Sequence, residues 1–167
     1  MAIINLARVD SRLLHGQVVV NLLKRPGLDS VFIIDDVVAQ NDTMKGVFKS
    51  SGERAGKKVI IFSKEKAKEH WTNNQWKDYN LLLLTGSIDT MHELITHGVS
   101  VKELNLGGIP QNIEKSATLV SKSVYLTKTD AEKLTSLKND YGVTEIYAQT
   151  VPSSQRTEFA DIISKIK

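Results

Sequence analysis

The 167-residue chain has no cysteine, which removes disulfides, thiolate nucleophiles and cysteine-based metal sites together. Aromatic residues make up only 6% of it. A nucleic-acid binder more often clusters basic residues with aromatic stacking platforms, whereas the basic residues here are dispersed. Neither sign of charge dominates: 22 Lys and Arg stand against 19 Asp and Glu, a formal net charge of +3, although the sequence pI is about 9.0. That balance permits an anionic partner without demanding one. No stretch approaches the roughly 18 apolar residues of a membrane-spanning helix. Arg8 and Asp10 arrive too early for the apolar region of a secretory signal, so a cytoplasmic location is expected. Neither G-x-x-x-x-G-K-S/T nor G-x-G-x-x-G occurs, which leaves a nucleoside triphosphate or dinucleotide site without a motif.

Present instead is a repeated alternation of short aliphatic runs and helical patterns. The runs at 3–6, 31–34, 59–62, 81–84, 104–106, 124–126 and 145–148 are bounded by polar or glycine-containing stretches, and continuous apolar runs of this length suit strands covered on both faces. Between them, 16–24 places Val19, Leu22 and Leu23 on one helical face before Pro26-Gly27. Asn41 or Asp42 can cap a second helix with Met44, Val47 and Phe48 as its core-facing stripe. A charged helix follows over 63–71, packing through Ala67 and Trp71. Capping-box spacing marks Thr90 with Glu93, and Thr129 with Glu132, as the starts of helices that bury Met91, Leu94, Ile95 and then Leu134, Leu137. Phe159, Ile162, Ile163 and Ile166 give a final amphipathic helix. With 41% hydrophobic residues, the chain reads as one domain over 1–167. The expected fold is a three-layer α/β/α with a mainly parallel sheet of six to seven strands and helices on both faces.

Ligands of such sheets bind outside the carboxyl ends of the strands. The loop after the first strand lies at that edge and carries the sharpest constellation, Arg8-Val9-Asp10-Ser11-Arg12-Leu13-Leu14-His15-Gly16-Gln17. Neutral imidazole keeps a lone pair near pH 7, which makes His15 the candidate nucleophile toward phosphorus. Arg8 and Arg12 can bind phosphoryl oxygens, Asp10 can orient the ring, and backbone N–H groups around Gly16 and Gln17 can complete an anion site. Each has a plainer alternative: Asp10 as an ion-pair partner, the arginines as solvated loop charge, His15 as a helix-end residue. The conjunction favours chemistry.

Asp35-Asp36 either holds a divalent cation, repels a competing anion or opens a helix. Asn105-Leu106-Gly107-Gly108 permits a close backbone approach at the same edge. His70, His92 and His97 lack metal-pair spacing and read as structural or exposed; no metal or other cofactor is expected.

The segment from Arg8 to Val18 resembles the active-site signature of the EIIB components of the mannose/fructose/sorbose class of the bacterial sugar phosphotransferase system. Ile33-Ile34-Asp35-Asp36, Asn105-Leu106-Gly107-Gly108, Val124-Tyr125-Leu126-Thr127 and Tyr147-Ala148-Gln149-Thr150-Val151-Pro152 extend the resemblance along nearly the whole chain. Ser11 departs from it, standing where many members carry a second aspartate. The resemblance implies an α/β domain that accepts a phosphoryl group on His15 from a phosphohistidine of an EIIA partner. It further implies transfer to a sugar held by the membrane components EIIC and EIID, a protein-Npi-phosphohistidine–sugar phosphotransferase. On that reading the EIIB module stands alone, bound to the inner face of the membrane only through partners, with no nucleic-acid partner. The alternative is a regulatory α/β domain that holds an anion without turnover.

Overall fold

The computed structural model describes residues 2–112 and 116–166, and within them every side chain but those of residues 17–19. The elements follow in the order β1 (Ile3–Val9), α1 (Gly16–Leu22), β2 (Ser30–Ile34), α2 (Asp36–Ala39), α3 (Asp42–Arg54), β3 (Lys58–Phe62), α4 (Lys64–Thr72), β4 (Asn80–Thr85) and α5 (Ile88–His97). They continue with β5 (Glu103–Leu106), β6 (Thr118–Ser121), β7 (Val124–Leu126), α6 (Lys128–Asp140), β8 (Glu145–Ala148), β9 (Thr157–Glu158) and α7 (Phe159–Ser164).

A seven-stranded sheet in the order β3-β2-β4-β1-β5-β8-β9 forms the middle layer. All its pairings are parallel except that of β9, which runs antiparallel to β8. The run Leu81-Leu82-Leu83-Leu84 shows why four leucines in succession fit a central strand. Leu81 and Leu83 enter the core cluster shared with Met91, Leu94, Leu134 and Ile162. Leu82 and Leu84 enter the opposite cluster with Leu22, Leu23, Val38 and Phe48. Side chains alternate along a strand, so an uninterrupted apolar run is what burial on both faces requires. Each leucine contributes roughly 1.5–3 kcal/mol relative to its exposed state. Helices α1, α2 and α3 thus cover one face, while α4, α5, α6 and α7 cover the other.

Three expectations change in detail. The strand at 124–126 leaves the main sheet: Val124–Leu126 pairs antiparallel with Thr118–Ser121 in a separate hairpin. The seventh strand of the sheet is instead Thr157–Glu158, a two-residue edge too short to carry a periodic signal. On α3, Val47 is exposed while Phe48 and Gly52 are buried, so the stripe turns one residue further round.

Caps shift as well. Thr127 accepts from the Asp130 N–H and Asp130 answers at the Thr127 N–H, so the capping box of α6 lies two residues before Thr129 and Glu132. Ser87, whose side chain accepts from the Thr90 N–H, caps α5.

Register fixes the functional edge. Val9 stands level with Thr85 on one side and Leu106 on the other, while Ile34 is level with Thr85 and Leu106 with Ala148. The carboxyl ends of β1, β2, β4, β5 and β8 therefore finish along one line, and the Arg8–His15 loop rises from its middle.

Candidate functional site

The loop is pinned before it reaches the histidine. The Asp10 N–H donates to the Thr85 carbonyl at 2.9 Å and the Ser11 N–H to the Gly108 carbonyl at 2.8 Å. The Leu13 N–H closes a turn onto the Asp10 carbonyl at 2.9 Å. Leu13 takes a left-handed conformation with φ of 57°, unusual for a branched residue. Its side chain and that of Leu14 are buried in the core under α1 and α3, which holds this turn in place. Gly16 follows at φ of 50°, a value that glycine adopts without a steric cost.

Arg8 and Asp10 are almost wholly buried, at 1% and 0% exposure. The Arg8 guanidinium donates to the Asp10 carboxylate at 2.9 Å, to the Asn105 side-chain oxygen, and to the carbonyls of Gln149 at 3.1 Å and Thr150 at 2.9 Å. Burial pushes its pKa below the usual value, and the neighbouring Asp10 charge acts in the opposite sense. A cation this deep needs such a set of acceptors. Arg8 is therefore spent on joining the ends of β1, β5 and β8. The sequence expectation that it binds phosphoryl oxygens does not fit this burial.

Arg12 is 49% exposed, yet Asp10 holds it too: the Arg12 N–H donates at 3.0 Å and its side-chain Nε at 3.2 Å to one carboxylate oxygen. Asp10 is thus a hub for two arginines. It is not the partner expected for the His15 ring. The His15 Nδ1 lies 3.0 Å from the Leu13 carbonyl. A carbonyl only accepts, so Nδ1 carries the proton in this conformation and the lone pair resides on Nε2. That nitrogen is shielded from solvent and has no hydrogen-bond partner among the described residues.

The paired glycines are explained by the same cluster. A Cβ on Gly107 would overlap the Arg8 guanidinium. One on Gly108 would stand 2.9 Å from Arg12 Nη2 and 3.0 Å from Asp10 Oδ1. The second loop expected at this edge thus packs directly under both arginines.

His15 itself lines a separate cavity of about 410 Å³ together with Leu14, Gly16, Val20, Leu23, Ser51, Arg54 and Ala55. Arg12 is not among its lining residues. Of the candidate phosphate ligands, Gly16 borders this cavity, whereas the side chain of Gln17, like that of Val19 in the expected apolar stripe, lies outside the described residues. Arg54 went unnoticed in the sequence because it sits in the last turn of an ordinary amphipathic helix, with no motif around it. The Gln149 and Thr150 carbonyls that accept from Arg8 were equally hidden, since backbone groups leave no residue-type signal.

Asp35 and Asp36 act as helix and loop staples: Asp35 caps α2 by accepting from the Val38 N–H at 2.9 Å, and Asp36 accepts from the Lys64 N–H at 2.8 Å. The remaining histidines sit away from the loop. His70 packs on Phe62, His97 pairs with Thr72, and burial together with Lys133 pushes the His92 pKa below its usual value. Among the described residues no group of three or more His, Asp or Glu is arranged to hold a metal ion, and no helix is long and apolar enough to cross a membrane.

Comparison with known proteins agrees with the geometry. Residues 4–167 match the family model described as the PTS system sorbose subfamily IIB component. The sorbose-specific EIIB component of Lacticaseibacillus casei is 31% identical over 128 residues, covering 77% of this chain and 76% of that protein. The mannose-specific EIIAB component of Escherichia coli strain K12 is 26% identical over 164 residues, which span 98% of this chain and 49% of the longer protein. Among solved structures, manxB from Thermoanaerobacter tengcongensis superposes with a TM-score of 0.86 at 30% identity, covering 96% of this chain and 94% of that one.

Proposed function

The chain belongs to the sorbose-subfamily IIB components of the sugar phosphotransferase system, and from that premise we propose that it carries a phosphoryl group on His15. The donor is a phosphohistidine of an EIIA partner, and the acceptor is the sugar held by membrane components EIIC and EIID. The observation that carries the reading is the placement of His15 at the carboxyl edge of the sheet. It stands on a pinned loop beside its own cavity, with one ring nitrogen left unpartnered among the described residues. A relative named as an EIIAB component supports an EIIA donor. On this reading residues 1–167 act as one EIIB domain, in the cytoplasm and at the inner face of the membrane through those partners.

The transfer needs no proton shuttle. A lone pair on one ring nitrogen of His15 forms the new N–P bond in line as the donor N–P bond breaks. The electron pair of the broken bond returns to the donor ring nitrogen, and the positive charge passes from donor ring to acceptor ring. Little covalent work is left to the protein, so positioning and charge neutralisation dominate. In the conformation described, one nitrogen is tied to Leu13 and the other is shielded, so the ring turns before attack. Arg12, held by Asp10 and still half exposed, serves as a ligand for the incoming oxygens, and the N–H groups around Gly16 and Gln17 add to that anion site.

His15→Ala abolishes acceptance of phosphate. Intact-mass analysis after incubation with phosphoenolpyruvate and the general phosphotransferase proteins, with EIIA, reads the gain of one acid-labile phosphoryl group in the wild type and none in the variant. A labelled variant refutes the reading. Tight phosphate binding with no adduct in the wild type would point instead to an anion-binding regulatory domain.

A further inference from the structure

We infer that Arg54, at the end of α3, is a phosphoryl-binding residue for the transfer at His15; the inference rests on the carrier role proposed above. Three observations carry it. Arg54 is the only lysine or arginine among the described residues that line the His15 cavity. Its side chain makes no hydrogen bond or ion pair with any described residue, whereas Arg8 and Arg12 are both held by Asp10. The remaining walls are largely apolar, from Leu14, Val20, Leu23 and Ala55, and Arg54 is exposed, so its guanidinium is open to a group arriving from solvent.

Helix geometry explains how Arg54 comes to the cavity. Val47, Ser51 and Arg54 are spaced i, i+4 and i+7 on α3, so they share one face. Ser51 and Arg54 of that face border the cavity, opposite Val20 and Leu23 from the α1 side. The Ser51 hydroxyl is spent on the Val47 carbonyl at 3.0 Å, which leaves the guanidinium as the strong donor. The carbonyl end of α3 would by itself repel a phosphoryl group, because the helix dipole places partial negative charge there. An arginine in that last turn reverses the sign, and its planar fork matches phosphate oxygens. The plain alternative is that Arg54 only offsets the dipole of α3.

Phosphoramidate separates these roles because it presents a P–N bond to His15 without any protein surface. The phosphoryl group moves to the ring nitrogen and ammonia leaves with the electron pair of the broken bond. Single-turnover labelling of the full chain is followed by intact mass for wild type, Arg54→Gln, Arg54→Lys and His15→Ala. Arg54→Gln is expected to lower the labelling rate roughly a hundredfold, the lower end of what loss of one positioned donor costs. Arg54→Lys recovers part of the rate, and the thermal unfolding midpoint of both stays at the wild-type value. A wild-type rate in Arg54→Gln overturns the inference, as does a loss that tracks a lowered unfolding midpoint, which would assign Arg54 to the helix end. Labelling of His15→Ala would instead remove the carrier role of His15, and the role of Arg54 with it.

Discussion

Two neighbouring parts of one loop are built on opposite principles. Around Asp10, two guanidiniums, one buried carboxylate, Asn105 and the carbonyls of Gln149 and Thr150 engage one another closely. Around His15, a ring nitrogen and an arginine in the same small cavity have no partner among the described residues. The first region resembles a buried network, in which mutual partners fix one arrangement, although the buried Arg8 Nε has no partner among the described residues. On the proposed reading, the second keeps its bonding capacity in reserve for a group that arrives from outside. The comparison teaches that arginine count near a reactive residue is a poor guide to chemistry: what matters is which arginine the fold has left uncommitted.

Breaking the network around Asp10 should act on stability first. Asp10→Asn leaves the Arg8 charge buried without its counter-ion. The expected loss is on the order of 3–5 kcal/mol, the usual cost of removing one partner of a buried pair. Urea unfolding measures it, and a loss below about 1 kcal/mol, the range of an exposed pair, would show that the pair is not buried in solution. Gly107→Ala comes next, at about 1–3 kcal/mol, because the added methyl overlaps the Arg8 guanidinium and the packing must shift to admit it. An unfolding midpoint equal to that of wild type would mean the Arg8 guanidinium moves aside freely.

Arg12→Ala sharpens the boundary between the two regions. Its half-exposed pair with Asp10 contributes under about 1 kcal/mol to stability, so the variant stays folded. The proposed contact with phosphoryl oxygens predicts slower acceptance from phosphorylated EIIA in rapid-quench labelling. An unchanged rate would place Arg12 wholly with the structural network and leave the His15 cavity to Arg54.

The sheet, its two covered faces and the functional edge were legible in the sequence because burial on both faces demands continuous aliphatic runs such as Leu81 to Leu84. The resemblance of residues 8–18 located the loop, and the glycine pair at 107–108 announced a close approach. Other features were illegible for physical reasons. Thr157–Glu158 pairs through backbone groups alone, and the Leu13 carbonyl that holds His15 belongs to a residue whose side chain says nothing about it. Arg8 and Arg12 have the same side chain, and only tertiary contacts bury one and leave the other half exposed. The Thr127 cap was hidden because Thr127 and Thr129 both begin capping-box patterns, and only the observed bonds separate them.

The reversed two-residue strand at Thr157–Glu158 has a consequence beyond finishing the sheet. A long parallel margin would offer a second copy a row of open N–H and C=O groups to extend. Two residues, flanked by the ion pairs of Arg156 with Glu145 and Glu158, offer almost no such template. Growth of one molecule onto another by strand addition is thereby discouraged at that margin, and a visiting protein must be recognised by surface shape and charge.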